Sequence, residues 1–365
     1  MRRLGIVLSL LLVGATAWSA PATGKSDITM LAASVGDQVV LADPSTGQTA
    51  SFDTGPVGWL YPAPGGVLFA PDVINNRTTV IDMRALAVAD TIDGLTMPNF
   101  GESPDRYVVL ADDILVMSYP ERAVMARISS EITDPWQVIM LPEDAAMLIL
   151  ERRPDGSTAS RLTIVNLVTR RVAARRALDA DYVHIASSTR LGLIALADAE
   201  HDQVRLMQPS AMVPVADHPT DGHPRDLAFV LDGMTLATAL DTGSGGALEL
   251  AVFKNGKKGL RLGKRHIVAL PSAPVRIAAA PDGDRVAIAL NNGAVAIVDV
   301  DHREIVRTIE LAGRPRDLRW CDPAREGPVN PEWSDGETAT IPGLETPTPP
   351  KVDDETGALR TPGGR

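Results

Sequence analysis

The sequence contains a single cysteine among its 365 residues, Cys321. One thiol cannot supply an intrachain disulfide framework, a thiolate zinc cluster or an iron–sulfur centre. Because no Cys-x-x-Cys-His segment is present, covalently attached c-type haem is excluded as well. The protein classes that depend on several cysteines are therefore ruled out.

Basic charge and catalytic motifs are also scarce. The 35 Lys and Arg stand against 46 Asp and Glu, a formal net charge of −11, which excludes nucleic acid as a general partner. The chain has no Gly-x-Ser-x-Gly, Gly-x-x-x-x-Gly-Lys or His-Glu-x-x-His segment. Its 45% hydrophobic content is nevertheless that of a globular protein. The absence of these motifs does not exclude an enzyme, because an active site can also be assembled from residues scattered along the chain.

The amino terminus has the features of an export signal. Arg2 and Arg3 precede an apolar run from Leu4 to Ala17, and small residues that suit cleavage follow. The run is too short for a membrane span, although an uncleaved anchor or a core helix is the alternative. We predict a Sec-type signal peptide over residues 1–22, a periplasmic or secreted protein, and no transmembrane segment after cleavage.

The carboxyl terminus is rich in proline and acidic residues. Residues 323–365 contain eight prolines, and the acidic triplet Asp353-Asp354-Glu355 lies within them. Such a segment buries too little apolar surface to offset the entropy of ordering it. We predict a disordered Pro-rich acidic tail, either a spacer that binds partners or a solvated terminus.

Residues 23–322 consist of a repeat without helical periodicity. Its clearest copy, Pro274–Leu311, has four short β-branched runs separated by turns such as Asp282-Gly283 and Asn292-Gly293. The third run of the copy recurs seven times, at 38–43, 78–83, 114–119, 162–167, 203–208, 249–254 and 295–300. First runs begin near Val57, Met97, Trp136, Tyr182, Pro224, Pro274 and Pro315. Each repeat is about as long as one propeller blade, so seven repeats indicate seven blades.

The phase of the repeat predicts how the ring closes. The predicted domain opens with second, third and fourth strands (Ile28–Ala33, Gln38–Asp43 and Thr49–Asp53) and ends with a lone first strand, Pro315–Cys321. The last strand should complete the first blade and remove the exposed edges. We therefore predict an all-β, seven-bladed β-propeller closed by the three N-terminal strands and the single C-terminal strand. Two separate sandwiches, the alternative, would not explain the matched incomplete ends.

Two segments resemble a known group of propellers. Pro281-Asp-Gly283 with the strand after it, and Asp221-Gly-His-Pro224 with its continuation to Gly233, look like YVTN-type repeats of exported bacterial proteins. The resemblance implies a WD40-like propeller from the lactonase-like and quinoprotein amine dehydrogenase heavy-chain-like group. Lactonase-like relatives carry a histidine where this sequence has Asp226 or Asp317.

Histidines concentrate in one predicted blade. In this repeat, the connections from fourth to first strands and from second to third strands emerge on one face of the disc, called here the upper face. His184, His201, His218 and His223 fall in or beside such connections, together with Asp221. Imidazole with carboxylate suits zinc or copper, although polar loops collect these residues without binding metal. These five residues are the candidate metal site.

A second set lies at equivalent first-strand positions of consecutive blades. Asp226, Arg276 and Asp317, with Arg316 beside the last, would form an arc of alternating charge around the channel. Arg276 could capture a small anionic ligand through its planar guanidinium. The alternative is a set of ion pairs between blades.

The third feature is a basic segment in an otherwise acidic chain. Its cations map to a hairpin between third and fourth strands on the opposite, lower face: Lys254, Lys257, Lys258, Arg261, Lys264 and Arg265. An acidic partner or an anionic lipid headgroup could bind there. A solvated turn that keeps the sheet edge soluble is the alternative.

Together these features favour a binding module over an enzyme. We expect a non-catalytic propeller that binds an unknown protein or a small anionic ligand of the cell envelope at its upper face. The first alternative is a metal-binding propeller, either metallochaperone-like or a metal-dependent hydrolase, that uses the histidine-rich blade. The second, from the resemblance, is a subunit of a quinoprotein-type oxidoreductase.

Overall fold

The computed structural model describes residues 29–324 except 95–96, 112, 130, 142–144, 154–156, 232 and 257–258, together with the backbone of 351–352 and 359–360. The predicted signal peptide lies outside the described residues, and so does almost all of the predicted tail. Within the described part, seven four-stranded antiparallel sheets form the blades of a propeller. The two-residue strands Lys351–Val352 and Leu359–Arg360 pair with each other.

Strands are numbered here in chain order. Blade 1 contains β1 (Met30–Val35), β2 (Gln38–Ala42), β3 (Thr49–Asp53) and β28 (Pro315–Cys321). Blade 2 contains β4 (Tyr61–Ala63), β5 (Val67–Asp72), β6 (Arg77–Asp82) and β7 (Ala87–Asp93). Blade 3 contains β8 (Asn99–Phe100), β9 (Arg106–Leu110), β10 (Ile114–Ser118) and β11 (Val124–Ile128). Blade 4 contains β12 (Pro135–Met140), β13 (Ala146–Glu151), β14 (Arg161–Asn166) and β15 (Arg171–Ala177).

The remaining blades follow the same order. Blade 5 contains β16 (His184–Ser188), β17 (Leu193–Asp198), β18 (Gln203–Gln208) and β19 (Val213–Pro219). Blade 6 contains β20 (His223–Val230), β21 (Thr235–Asp241), β22 (Gly246–Gly256) and β23 (Gly259–Leu270). Blade 7 contains β24 (Pro274–Ala279), β25 (Arg285–Leu290), β26 (Ala294–Asp299) and β27 (Glu304–Glu310). The seven-bladed prediction is confirmed.

The ring closes as the phase of the repeat predicts. The last strand, β28, pairs antiparallel with β1, and Cys321 is opposite Met30. The innermost strands contact one another in sequence around the ring, from β28 through β4, β8, β12, β16, β20 and β24 and back to β28. Because the ring is closed, every innermost strand has another innermost strand beside it on both sides.

The hydrophobic core lies between neighbouring blades. Aliphatic side chains of the second and third strands of one blade pack against those of the next, as Leu248 and Leu250 of blade 6 do with Val286 and Ile288 of blade 7. The four side chains are at most 2% exposed. Each such burial stabilises the fold by about 1.5–3 kcal/mol, so a ring of flat sheets is held together without cross-links.

Two innermost strands are much shorter than the repeat predicts. In blade 2 the strand is reduced to three residues, and Val57 makes only an isolated bridge to Asp72. In blade 3 the strand has two residues and begins after Met97 and Pro98. Proline lacks an N–H for the ladder, and both Pro62 and Pro98 lie in these segments. The channel wall is therefore thin in front of blades 2 and 3.

Candidate ligand site at the upper mouth of the channel

One position at the upper end of the innermost strand carries a polar residue in several blades. In blades 4, 6 and 7 it is the residue two places after a proline, namely Gln137, Asp226 and Arg276. In each case a bulge shifts the pairing with the second strand between the proline and this residue. Blade 1 has the same spacing, with Pro315 before Asp317.

The two aspartates at this position bind the backbone of the following blade. Asp226 Oδ2 accepts a hydrogen bond from the N–H of Ile277 at 2.9 Å, and Asp317 Oδ2 accepts one from Leu60 at 2.8 Å. Both carboxylates are 1% exposed. Burial alone would raise the pKa of Asp226, but His184, Arg276 and the Ile277 N–H hold it below the usual value. These contacts agree with the alternative interpretation of the arc, in which its charged side chains hold neighbouring blades together.

Blades 4, 5 and 6 are joined at the same level. The Gln137 amide donates to the Ile185 carbonyl at 2.8 Å and accepts from the Ile185 N–H at 3.0 Å. His184 Nδ1 lies 2.7 Å from Asp226 Oδ1. Gln137 was not among the predicted site residues, although the Pro135-Trp-Gln137 segment repeats the spacing of Pro224-Arg-Asp226.

Arg276 differs from the other members of the arc. Its guanidinium lies over the Trp59 ring, 4.9 Å from the centroid, and donates a long hydrogen bond of 3.4 Å to the Val275 carbonyl. Within the described residues Arg276 forms no ion pair, and its buried Nε has no hydrogen-bond partner. The mouth of the channel therefore contains a cation that no carboxylate binds directly.

Trp59 also contacts a second tryptophan across the mouth. The Trp59 and Trp136 rings meet edge to face, with centroids 5.5 Å apart. Trp136 donates its indole N–H to the Val183 carbonyl at 2.8 Å, and the Arg152 guanidinium lies over its ring at 5.0 Å. Arg152 is in turn held by Asp181 through two hydrogen bonds, of 3.0 and 2.7 Å. The aromatic pair is thus fixed in orientation between two guanidinium groups.

Below this pair lies a cavity of about 140 Å³, in front of the short innermost strands. Its wall includes Trp59, Tyr61, Met97, Trp136 and Arg319. A wider part of the channel, of about 350 Å³, adjoins it, because Gln137 and Arg319 line both spaces.

A broad open depression lies on the upper face beside blades 7 and 1. Its volume is about 860 Å³, and the exposed Arg314 and Arg316 line it together with Asp37 and Asp53. Arg316, predicted as part of the ligand arc, therefore faces this depression, whereas its neighbour Asp317 is buried. The sequence placed them in one group, but the structure gives them separate surroundings.

The four histidines of the candidate metal site contact four different carboxylates. His184 is 2.7 Å from Asp226, His201 is 2.9 Å from Asp198, His223 is 2.5 Å from Asp202, and His218 Nε2 contacts Glu249 Oε1. Asp221 contacts Arg265 at 3.3 Å. No group of three His, Cys, Asp or Glu in the described part of the chain is placed to hold a metal ion. Zinc or copper binding stays a prediction.

The basic segment forms the end of the longest hairpin, made by the 11-residue β22 and the 12-residue β23. Lys254 and Lys264 are exposed, and the backbone of Arg261 pairs with Lys254. Lys257 and Lys258 lie outside the described residues. Arg265 is also exposed, but its guanidinium is paired with the buried carboxylate of Glu249 at 2.5 Å. It belongs to a contact between blades 5 and 6 that also contains His218.

Comparison with known proteins supports the fold alone. No known protein family and no curated sequence matches the chain. Among solved structures, the chain is similar to Kuenenia stuttgartiensis hydrazine synthase, with a TM-score of 0.59 and 12% identity over 74% of this chain and 90% of that one. It is also similar to the β-propeller domain of Myceliophteria thermophila Cps50 (Swd1), with a TM-score of 0.55 and 11% identity over 71% and 87% of the two chains.

Proposed function

We propose that this protein is an exported β-propeller of the YVTN type that binds an anionic ligand, or an acidic group of a partner protein, at the upper mouth of its channel. It carries out no catalysis of its own. The observation that supports this function is Arg276, a guanidinium at the mouth that stacks on Trp59 and to which no carboxylate of the described part of the chain is bound. Arginine in such a position binds carboxylates through its planar donors.

The neighbouring residues favour binding over chemistry. The polar groups of the same ring, Asp226, Asp317 and Gln137, are engaged by backbone N–H groups of the next blade. Such groups stabilise the scaffold and hold the mouth rigid, which lowers the entropy lost on binding. A rigid mouth with a guanidinium that no carboxylate of the described residues contacts directly is suited to retaining an anion.

The test is calorimetric titration of the signal-free protein at low salt with a panel of small carboxylates and phosphates. At least one member should bind, and Arg276→Gln should weaken that binding by about tenfold or more. Arg225→Gln is the matched control, since Arg225 lies at the same end of its innermost strand but is paired with Asp241 at 2.7 Å. Absence of binding, or equal loss in both variants, would contradict the proposal.

Export is tested separately. The full chain, tagged at its carboxyl terminus and expressed in a bacterium with two membranes, should be recovered from the periplasm or the medium. Its amino terminus should then begin close to residue 23, because residues 1–22 are removed. Cytoplasmic protein that begins at Met1 would contradict export without affecting the binding proposal.

A further inference from the structure

We propose that the cavity below the channel mouth binds a small aromatic carboxylate, with its ring against Trp59 and Trp136 and its carboxylate at Arg319. This inference goes beyond the proposed function, because it places a second anion site at Arg319, next to the Arg276 site of the same channel mouth. Three properties of the cavity support it, namely its size and lining, the cation in its wall, and the state of its other polar groups.

The size and lining suit one aromatic ring. The cavity measures about 140 Å³, and an apolar cavity of about 150 Å³ in another protein is known to hold benzene. Its apolar surface comes from Trp59, Trp136, Met97, Leu110 and Val138. Because the two indole rings are perpendicular, at 86°, a flat ligand can stack on one and meet the edge of the other.

The wall of the cavity contains a cation, the guanidinium of Arg319. The Arg319 guanidinium donates its Nε–H to Asp317 at 3.0 Å and, within the described residues, has no other hydrogen-bond partner. Its two terminal nitrogens therefore keep donors for a ligand. None of the ten side chains that line the cavity is a carboxylate. Asp317 offsets the charge of Arg319 on its Nε side, so a ligand carboxylate would be recognised by the N–H donors of the two terminal nitrogens, from which an ammonium group cannot accept.

The other polar groups of the cavity either can donate a hydrogen bond or already have hydrogen-bond partners. Burial raises the pKa of Tyr61 well above its ordinary value of 10.0, so the phenol stays neutral and can donate its O–H to a carboxylate. The Gln137 amide is engaged by Ile185, and the Asn99 amide nitrogen donates to the carbonyls of Met97 and Val108. The wall therefore favours a ligand with a flat apolar ring and an anionic group that accepts several hydrogen bonds.

The experiment uses the protein without residues 1–22 and follows tryptophan fluorescence and calorimetric heat. Benzoate is the probe, and acetate, benzamide and benzylamine are its matched analogues, which lack the ring, the charge or the sign of the charge. Benzoate should bind at one site and change the fluorescence of Trp59 and Trp136. Each of the three analogues should bind at least about tenfold more weakly, equivalent to about 1.4 kcal/mol.

Variants assign the binding to the cavity. Arg319→Gln should weaken benzoate binding by about tenfold or more, and Arg319→Lys, which keeps the charge and a donor for Asp317, should recover part of it. Trp59→Leu should weaken benzoate binding and leave Arg319 in place. Arg225→Gln is the control outside the cavity and should bind benzoate as the parent protein does. If Arg319→Gln does not fold, Arg319→Lys and Trp59→Leu carry the test.

The outcomes separate this inference from the proposed function. Equal affinity for benzoate and acetate, or binding that Arg319→Gln and Trp59→Leu leave unchanged, would overturn the aromatic carboxylate. If another anion then bound in an Arg276-dependent way, the proposed function would stand without this ligand class. If no anion bound to the parent protein, both would fall.

Discussion

Asp317 and Leu60 are 257 positions apart, yet the carboxylate of the first accepts the backbone N–H of the second at 2.8 Å. Asp317 lies on the last strand of the ring, which also pairs with the first strand. Leu60 immediately precedes the innermost strand of blade 2. One buried side chain therefore connects the end of the propeller chain to the blade that follows the closure.

We predict that Asp317→Ala lowers the free energy of unfolding by about 2–4 kcal/mol. The change removes the acceptor of the buried Leu60 N–H and the partner of Arg319, and unsatisfied buried donors cost about 1–3 kcal/mol each. Chemical denaturation measures the difference. The control is Asp322→Ala, at an exposed aspartate one residue beyond the strand, which should change stability by less than about 0.5 kcal/mol. If both substitutions lowered stability equally, the hydrogen bond between Asp317 and Leu60 would contribute nothing to stability.

The contact between blades 5 and 6 should make stability depend on pH. Burial would raise the pKa of Glu249, but its hydrogen bonds with His218 and Arg265 outweigh burial and hold the pKa below the ordinary 4.5. A carboxylate with a lowered pKa stabilises the fold fully above its ordinary pKa. That contribution is lost as the pH falls through the folded-state value.

We therefore predict that Glu249→Gln is less stable than the parent protein at pH 7, by about 2–3 kcal/mol, and that the gap narrows below about pH 4. Urea denaturation at a series of pH values measures it. Glu131→Gln is the matched control, since Glu131 also contacts an arginine, Arg175, but is 90% exposed. A constant gap from pH 7 to pH 3 would mean that the ionised carboxylate is not its cause.

Gly55 should be intolerant of a side chain. Its φ is +78°, and an added Cβ would collide with the carboxylate of Asp72. That carboxylate is fixed by hydrogen bonds from Ile74 and Asn75. Gly55→Ala should cost more than about 2 kcal/mol in thermal or chemical unfolding, whereas Gly36→Ala should cost about 1 kcal/mol. Gly36 has a φ of +57° and open space around its Cβ position, so a similar cost at both would remove the collision as the reason.

Cys321 should be inert in the folded protein. Burial raises the pKa of its thiol to about 12, and it lies in the closing strand opposite Met30. A thiol reagent at pH 8 should label it at the rate at which β28 leaves β1, and completely in denaturant. The exposed substitution Val168→Cys should react at once. Fast labelling of Cys321 in native conditions would show that the closure opens readily.

The architecture was predictable because it depends on a repeated pattern. Strand runs of similar length recur through the chain, and the unmatched ends at Ile28 and Cys321 indicate the closure. The innermost strands of blades 2 and 3 were less predictable, since they have only three and two residues where the repeat predicts full strands, and Pro98 directly precedes the second of them. The repeat therefore predicts the presence of a strand more reliably than the number of residues in it.

The candidate site was only partly predictable. Arg276 was recognised by its place in the repeat, but its partner Trp59 lies in a connection, and Arg319 lies two residues beyond the recognised position. These side chains meet because blades distant in sequence surround one channel. The histidines show the converse, since their closeness in sequence did not bring them to one point and each contacts its own carboxylate.

The pairing of β1 with β28 also sets the order of events during synthesis. The edge of β1 has no partner until the ribosome has added about 280 further residues. The ring consequently cannot close before residues 315–321 have been synthesised, and until then the first blade lacks its innermost strand. The blade that comes first in the chain is thus the last to receive its innermost strand.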